Sequence, residues 1–142
     1  MTPAQHRLQQ ALAAEHAAVY GYDVLGPRLT GTEQTAARNA EQAHRDRRDA
    51  LTLALTKQHV TPVAAAPGYA LPQPVTDRAS ALRLAVTLEE RTAKAWGAGL
   101  PALSAAQRKQ AVDAVSDCAV WATRWRRTAG MAPTTVPFPG RP

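Results

Sequence analysis

The sequence predicts an all-α protein, a four-helix bundle with one long Pro-rich connection between its second and third helices. Three observations predict it. Apolar residues make up 45% of the 142-residue chain, but alanine supplies much of that share and phenylalanine occurs once; alanine is the strongest helix former. No run alternates Val, Ile, Thr or Tyr with polar residues in the period of a strand. Four stretches instead repeat their apolar residues at helical spacing, joined by a short, a long and a short connection.

The first helix is expected over about 3–29, with Thr2 as N-cap and Pro3 at the first helical position, where a missing N–H costs nothing. Its apolar stripe is Leu8, Leu12, Val19, Tyr22, Leu25 and Leu29. Pro27 should kink the last turns. Thr30-Gly31-Thr32 is a short link, so the second helix, about 33–58, must return antiparallel. Ala37, Ala40, His44, Leu51, Ala54 and Leu55 form its inner face, and Arg38, Arg45, Asp46 and Asp49 its outer one.

From His59 to Thr76 the prolines at 62, 67, 72 and 74 forbid helix. At roughly 3.3 Å per residue the segment spans about 55 Å, more than the roughly 37 Å of a 25-residue helix. It can therefore travel the whole bundle, though the sequence leaves the direction of the third helix open. That helix, about 77–97, is capped by Thr76 and lined by Leu82, Ala85, Leu88, Thr92, Ala95 and Trp96. After a loop with Gly99 and Pro101, Ser104 caps a fourth helix over about 105–129, which stops before Gly130. Its inner face is Ala111, Val115, Cys118, Ala119, Ala122 and Trp125. Residues 1–132 thus form one bundle domain and 133–142 an extended tail, with Phe138 expected as its anchor.

Carboxylates fall where leucine would be expected. At about 100° per residue, Glu15 lies in the centre of the first stripe and Glu89 within the third, while Glu90 points outward with Arg83 and Lys94. His44 is central on the second helix, with Glu41 slightly off centre one turn earlier. An ionised carboxylate in an apolar core is costly unless it is paired, hydrogen-bonded or metal-bound. Glu15, Glu41, His44 and Glu89 are therefore the candidate metal ligands, an oxygen-rich set with one imidazole that suits iron, manganese or zinc, although nothing in it assures an ion. Without one, protonation or an arginine must compensate, and Arg48 is the candidate nearest in sequence. His16 sits at the helix edge as a locally bonded residue; Trp96, Trp121 and Trp125 read as packing.

Other features bound the function. The net charge is +6 and the isoelectric point near 10.2, but acids interleave the basic residues, so a solvated helix surface outweighs a nucleic-acid site. A single cysteine, Cys118, makes no internal disulfide and suits a reducing compartment. The first residues lack a signal-peptide core and no run approaches a membrane span. The expected location is the cytoplasm, without membrane association. No Gly-rich phosphate loop or nucleophile motif is present.

The order Glu, Glu-x-x-His, Glu on three helices, with this loop pattern, resembles the ferritin-like superfamily, whose di-iron bundles carry two lone Glu and two Glu-x-x-His motifs. More narrowly, the stretch from Ala13 to Tyr22 (AAEHAAVYGY), Leu88-Glu89-Glu90 and Phe138-Pro139-Gly140 are similar to a small bacterial ferritin-like domain family of unknown function. The resemblance covers nearly the whole chain and implies a ferritin-like four-helix bundle with a long crossover between helices two and three. One departure is decisive. The fourth helix places Val115, Cys118, Ala119 and Ala122 where the second Glu-x-x-His would stand. The leading reading is a ferritin-like bundle protein with a degenerate inward Glu/His site, acting as a binding or interaction module with a second copy or another protein rather than as an enzyme. A metal-binding oxidoreductase of ferritin-like type is the alternative, and a basic nucleic-acid-associated protein the second alternative.

Overall fold

A computed structural model describes residues 1–141. The fold is all-helical: α1 (Pro3–Leu25), α2 (Gly31–Lys57), α3 (Arg78–Gly99) and α4 (Ala105–Ala129), with single 3-10 turns at Gly26–Arg28 and Leu100–Ala102. Among the described residues there is no strand.

The starts are set by local chemistry. Thr2 and Gln5 cap α1 reciprocally, the Thr2 side chain accepting from the Gln5 amide and the Gln5 side chain from the Thr2 amide. Ser104 and Gln107 do the same for α4. At α3 the cap is Asp77, one residue later than the sequence suggests, because its carboxylate accepts from the Ser80 amide while Ser80 turns back to the Asp77 amide. Each such cap contributes about 1 kcal/mol. Helix α1 gives way to a 3-10 turn at Gly26-Pro27-Arg28, since Pro27 has no N–H to continue the ladder. Helix α4 ends on Gly130 in the left-handed region, φ 69°, a conformation open to glycine at little cost.

Directions follow from contacts at the two ends. Arg78 Nε lies 2.9 Å from both Glu33 oxygens, so α3 begins beside the start of α2. The Gln5 side chain meets that of Gln58 at 3.2 Å, so α2 ends beside the start of α1. Helices α2 and α3 therefore run parallel to each other and antiparallel to α1. The non-helical stretch between them follows α1: Gln9 pairs with Val63 N and Thr61 O, His16 with Val63 O, and Tyr20 stacks at an angle on Tyr69. Its Val60, Leu71 and Val75 pack on the bundle.

The core divides in two. One apolar cluster holds Tyr22, Leu25, Leu29, Leu82, Leu84 and Trp125 among others. The second, toward the other end, holds Leu8, Leu12, Leu51, Leu55, Trp96 and Leu103. Glu15, His44 and Glu89, all fully buried, lie on the helices between the two. The tail is fastened by Gly140 rather than by Phe138, the anchor expected from the sequence. Phe138 is 72% exposed with Arg141 over its ring. Gly140, at φ 76°, presses so closely on α3 that a methyl at Gly97 would sit 2.1 Å from the Gly140 carbonyl oxygen. A backbone turn without side chains enters a groove that a phenyl ring cannot.

Candidate functional site

Burying Glu15 demands donors, and α2 and α3 supply them. Its Oε2 accepts from His44 Nδ1 at 2.6 Å. Its Oε1 accepts from Arg47 Nε at 2.7 Å and from the Trp96 indole at 2.8 Å. His44 uses its other nitrogen, Nε2, on Glu89 Oε1 at 2.8 Å. That same oxygen accepts the Tyr22 hydroxyl at 2.6 Å, and Tyr22 in turn accepts the Trp125 indole at 2.9 Å. The result is one continuous chain of hydrogen bonds through all four helices. Charge-assisted bonds of this kind are short and strong.

Arg47 closes the network on the α4 side. Its guanidinium reaches Asp117 at 2.7 Å, contacts Cys118 Sγ at 3.6 Å, and places Nη2 3.1 Å from His44 Nδ1. Arg48, the partner expected from the sequence, instead turns to Asp49 at 2.9 Å. The reason is angular. Arg47 stands on the flank of α2 that faces α4, and its long stem carries the charge inward from a half-buried position.

The electrostatics agree with the contacts. Burial works against the His44 cation, but Glu89 and Glu15 outweigh it and lift its pKa from 6.5 to about 9. Burial raises Glu15, yet His44, Arg47 and the Trp96 bond together pull it below its ordinary value. Arg47, against its own burial, is held more firmly protonated by Glu15. Burial and the Glu89 charge push the Tyr22 hydroxyl well up, and burial and Glu89 do the same to the Cys118 thiol. At neutral pH, Tyr22 and Cys118 are therefore uncharged, and His44 and Arg47 bring two positive charges to the buried carboxylates.

Of the four candidate ligands, the fold brings together Glu15, His44 and Glu89. Glu41 stands apart: it bonds Arg45 at 2.8 Å, four residues on, with Asp23 nearby. Burial and Asp23 raise its pKa while Arg45 lowers it. Glu90 stays at the edge, where it pairs with Arg126 of α4 rather than with Lys94. Among the described residues, no three His, Cys, Asp or Glu side chains are grouped so as to hold a metal ion. Arg47, Tyr22, Trp96, Trp125 and Asp117 were not legible as site residues. The available signal was that a buried tyrosine or tryptophan normally finds a polar partner. One polar atom in the network is unpaired: Glu89 Oε2, buried with no hydrogen-bond partner.

Two comparisons with known proteins find similarity and one finds none. No curated protein matches the chain. Among solved structures, it is similar to a conserved hypothetical protein, Rv2844, from Mycobacterium tuberculosis, with 38% identity and a TM-score of 0.87. That match covers 96% of this chain and 97% of the other. The model of a domain of unknown function, DUF4439, matches residues 7–142. With the match running from the first turns of α1 through the tail, the chain belongs to the DUF4439 family.

Proposed function

We propose that this protein is a ferritin-like bundle, with the 59–76 segment as its crossover, in which an internal ion-pair network stands in place of a metal centre. It acts as a non-catalytic binding module. The observation that carries the reading is the double engagement of His44, whose two ring nitrogens both face carboxylates, at 2.6 Å and 2.8 Å. An imidazole ligates a metal through a neutral ring nitrogen with a free lone pair, and here both nitrogens are engaged in the cationic form. Arg47 supplies a second fixed positive charge 2.7 Å from Glu15. Glu41 is engaged by Arg45, and α4 presents Cys118 and Ala122, both buried. A two-metal centre needs bridging carboxylates and ligands on each ion, and these residues do not fit one.

The test is elemental analysis of protein purified without a metal-affinity tag, alongside ferrous oxidation under oxygen. The expected result is less than one-tenth equivalent of iron, manganese or zinc and no oxidation above the protein-free rate. Two irons per chain with rapid ferrous oxidation would overturn the reading in favour of a ferritin-like oxidoreductase. About one tightly held ion would overturn it in favour of a mononuclear site on Glu15, His44 and Glu89.

A further inference from the structure

A cavity of about 690 Å3 lies between α3, α4 and the tail segment 134–141. Its inner end includes Glu89 and Cys118, and its walls include Ala93, Ala119 and Ala122. The tail closes it as a strap, held where Gly140 meets Ala93, Gly97 and Val115. Two features of this space are chemically unequal. At the inner end is Glu89, fully buried. Its Oε1 is saturated by His44 and Tyr22, whereas its Oε2 forms no hydrogen bond of normal geometry and has only the weak S–H donor of Cys118 beside Glu89. A buried acceptor left unpaired costs about 1–3 kcal/mol. At the exposed mouth stand Lys94, Arg124, Arg127 and Arg141, and none of them forms an ion pair among the described residues. Glu90, the remaining acid of the lining, is neutralised by Arg126.

We infer that this cavity binds a small amphipathic molecule with a hydrogen-bond donor at one end, an apolar body and an anionic group at the other. The donor, an ammonium or a hydroxyl, bonds Glu89 Oε2. The body lies along Ala93, Ala119 and Ala122. The anion stays at the mouth, where the unpaired cations and solvent share its charge. Pockets of this kind take their affinity from apolar walls and their orientation from a few polar groups. The Oε2 atom is such a group, because a ligand without a donor leaves it stranded. The assignment rests on the metal-independent reading of Glu89, since an ion at that oxygen would occupy the same place.

The experiment is calorimetric titration of the full chain, in chelator, with three dodecanoates: 12-amino, 12-hydroxy and unsubstituted. The expected result is saturable one-to-one binding of the amino or the hydroxy acid, at least tenfold tighter than dodecanoate itself. The better of the two identifies the donor. Glu89→Gln should remove that preference. Because this change also touches the ion-pair network, Ala119→Phe, which fills the cavity from its α4 wall, provides the independent check and should abolish binding while circular dichroism stays unchanged. Lys94→Ala with Arg127→Ala should weaken all three acids by about tenfold. Equal affinity for the three acids, binding that survives Ala119→Phe, or no binding of any of them overturns the inference. Metal analysis of the same preparation, made before chelator is added, reports separately on the reading of Glu89.

Discussion

Arg47 Nε lies 2.7 Å from Glu15 Oε1, an ion pair in which the carboxylate is completely buried and the guanidinium nearly so. Its loss leaves Glu15 with His44 and Trp96 as its remaining hydrogen-bond partners. Arg47→Ala is therefore expected to destabilise the fold by about 3 kcal/mol, as when one partner of a buried pair is removed. Arg48→Ala, one residue on, should change stability by less than about 0.5 kcal/mol. Urea unfolding followed by tryptophan fluorescence measures both, and equal effects at the two positions would contradict the network.

Tyr22 is both donor to Glu89 and acceptor from Trp125. Tyr22→Phe keeps the ring and removes the atom that joins them. The expected cost is about 1–3 kcal/mol, the penalty of stranding buried polar groups. Loss of the Trp125 indole hydrogen bond should appear as a shift of its proton resonance, which a purely apolar role for Tyr22 would leave in place.

Stability should depend on pH with two limbs. His44 has a folded pKa of about 9, above its ordinary 6.5. Its contribution is thus present in full below about 6.5 and lost as pH rises through 9. Glu15 is lowered from 4.5, so its contribution is present above 4.5 and lost as pH falls through its folded value. Unfolding midpoints from pH 3 to 10 should show a plateau between these limbs. In His44→Gln the alkaline limb should vanish, and its persistence there would assign it elsewhere.

At Gly97 an added methyl would meet the Gly140 carbonyl at 2.1 Å, with backbone rather than a flexible side chain in the way. Gly97→Ala should lift the strap from the bundle, and the amide heteronuclear NOEs of Gly140 and Arg141 should fall sharply. Phe138→Ala should leave those NOEs nearly unchanged, because the ring faces solvent. Unchanged NOEs in Gly97→Ala would mean that the tail is held elsewhere.

Much of the architecture was legible because it rests on periodicity. The phases of Glu15, His44 and Glu89 against their own stripes identify buried positions without any coordinates. Glu41 shows the limit. It sits one turn before His44, and an angular offset of about 60° is enough to leave it with Arg45 instead of Glu15. Phase also says where a Cα faces, not where a long side chain ends, so it favoured Arg48 and passed over Arg47. The aromatic donors were hidden for a different reason: Trp96, Trp125 and Tyr22 satisfy the apolar pattern with their rings while using one polar atom each. The seating of Gly140 depends on a left-handed backbone and a close approach between distant segments, and neither leaves a local pattern.

The ion-pair layer also decides how the helices may be aligned lengthwise. The inner face of α4 is made mostly of small residues, Ala111, Ala114, Cys118 and Ala122, and offers few knobs of its own. A displacement along the bundle by one turn, 5.4 Å, would cost such a face little packing. A comparable displacement of α2 would carry His44 away from both Glu15 and Glu89 and leave buried charges without partners, a far larger penalty. The buried charges thus act as a key that admits one lengthwise alignment, adding to what the leucine and tryptophan clusters at either end enforce by shape.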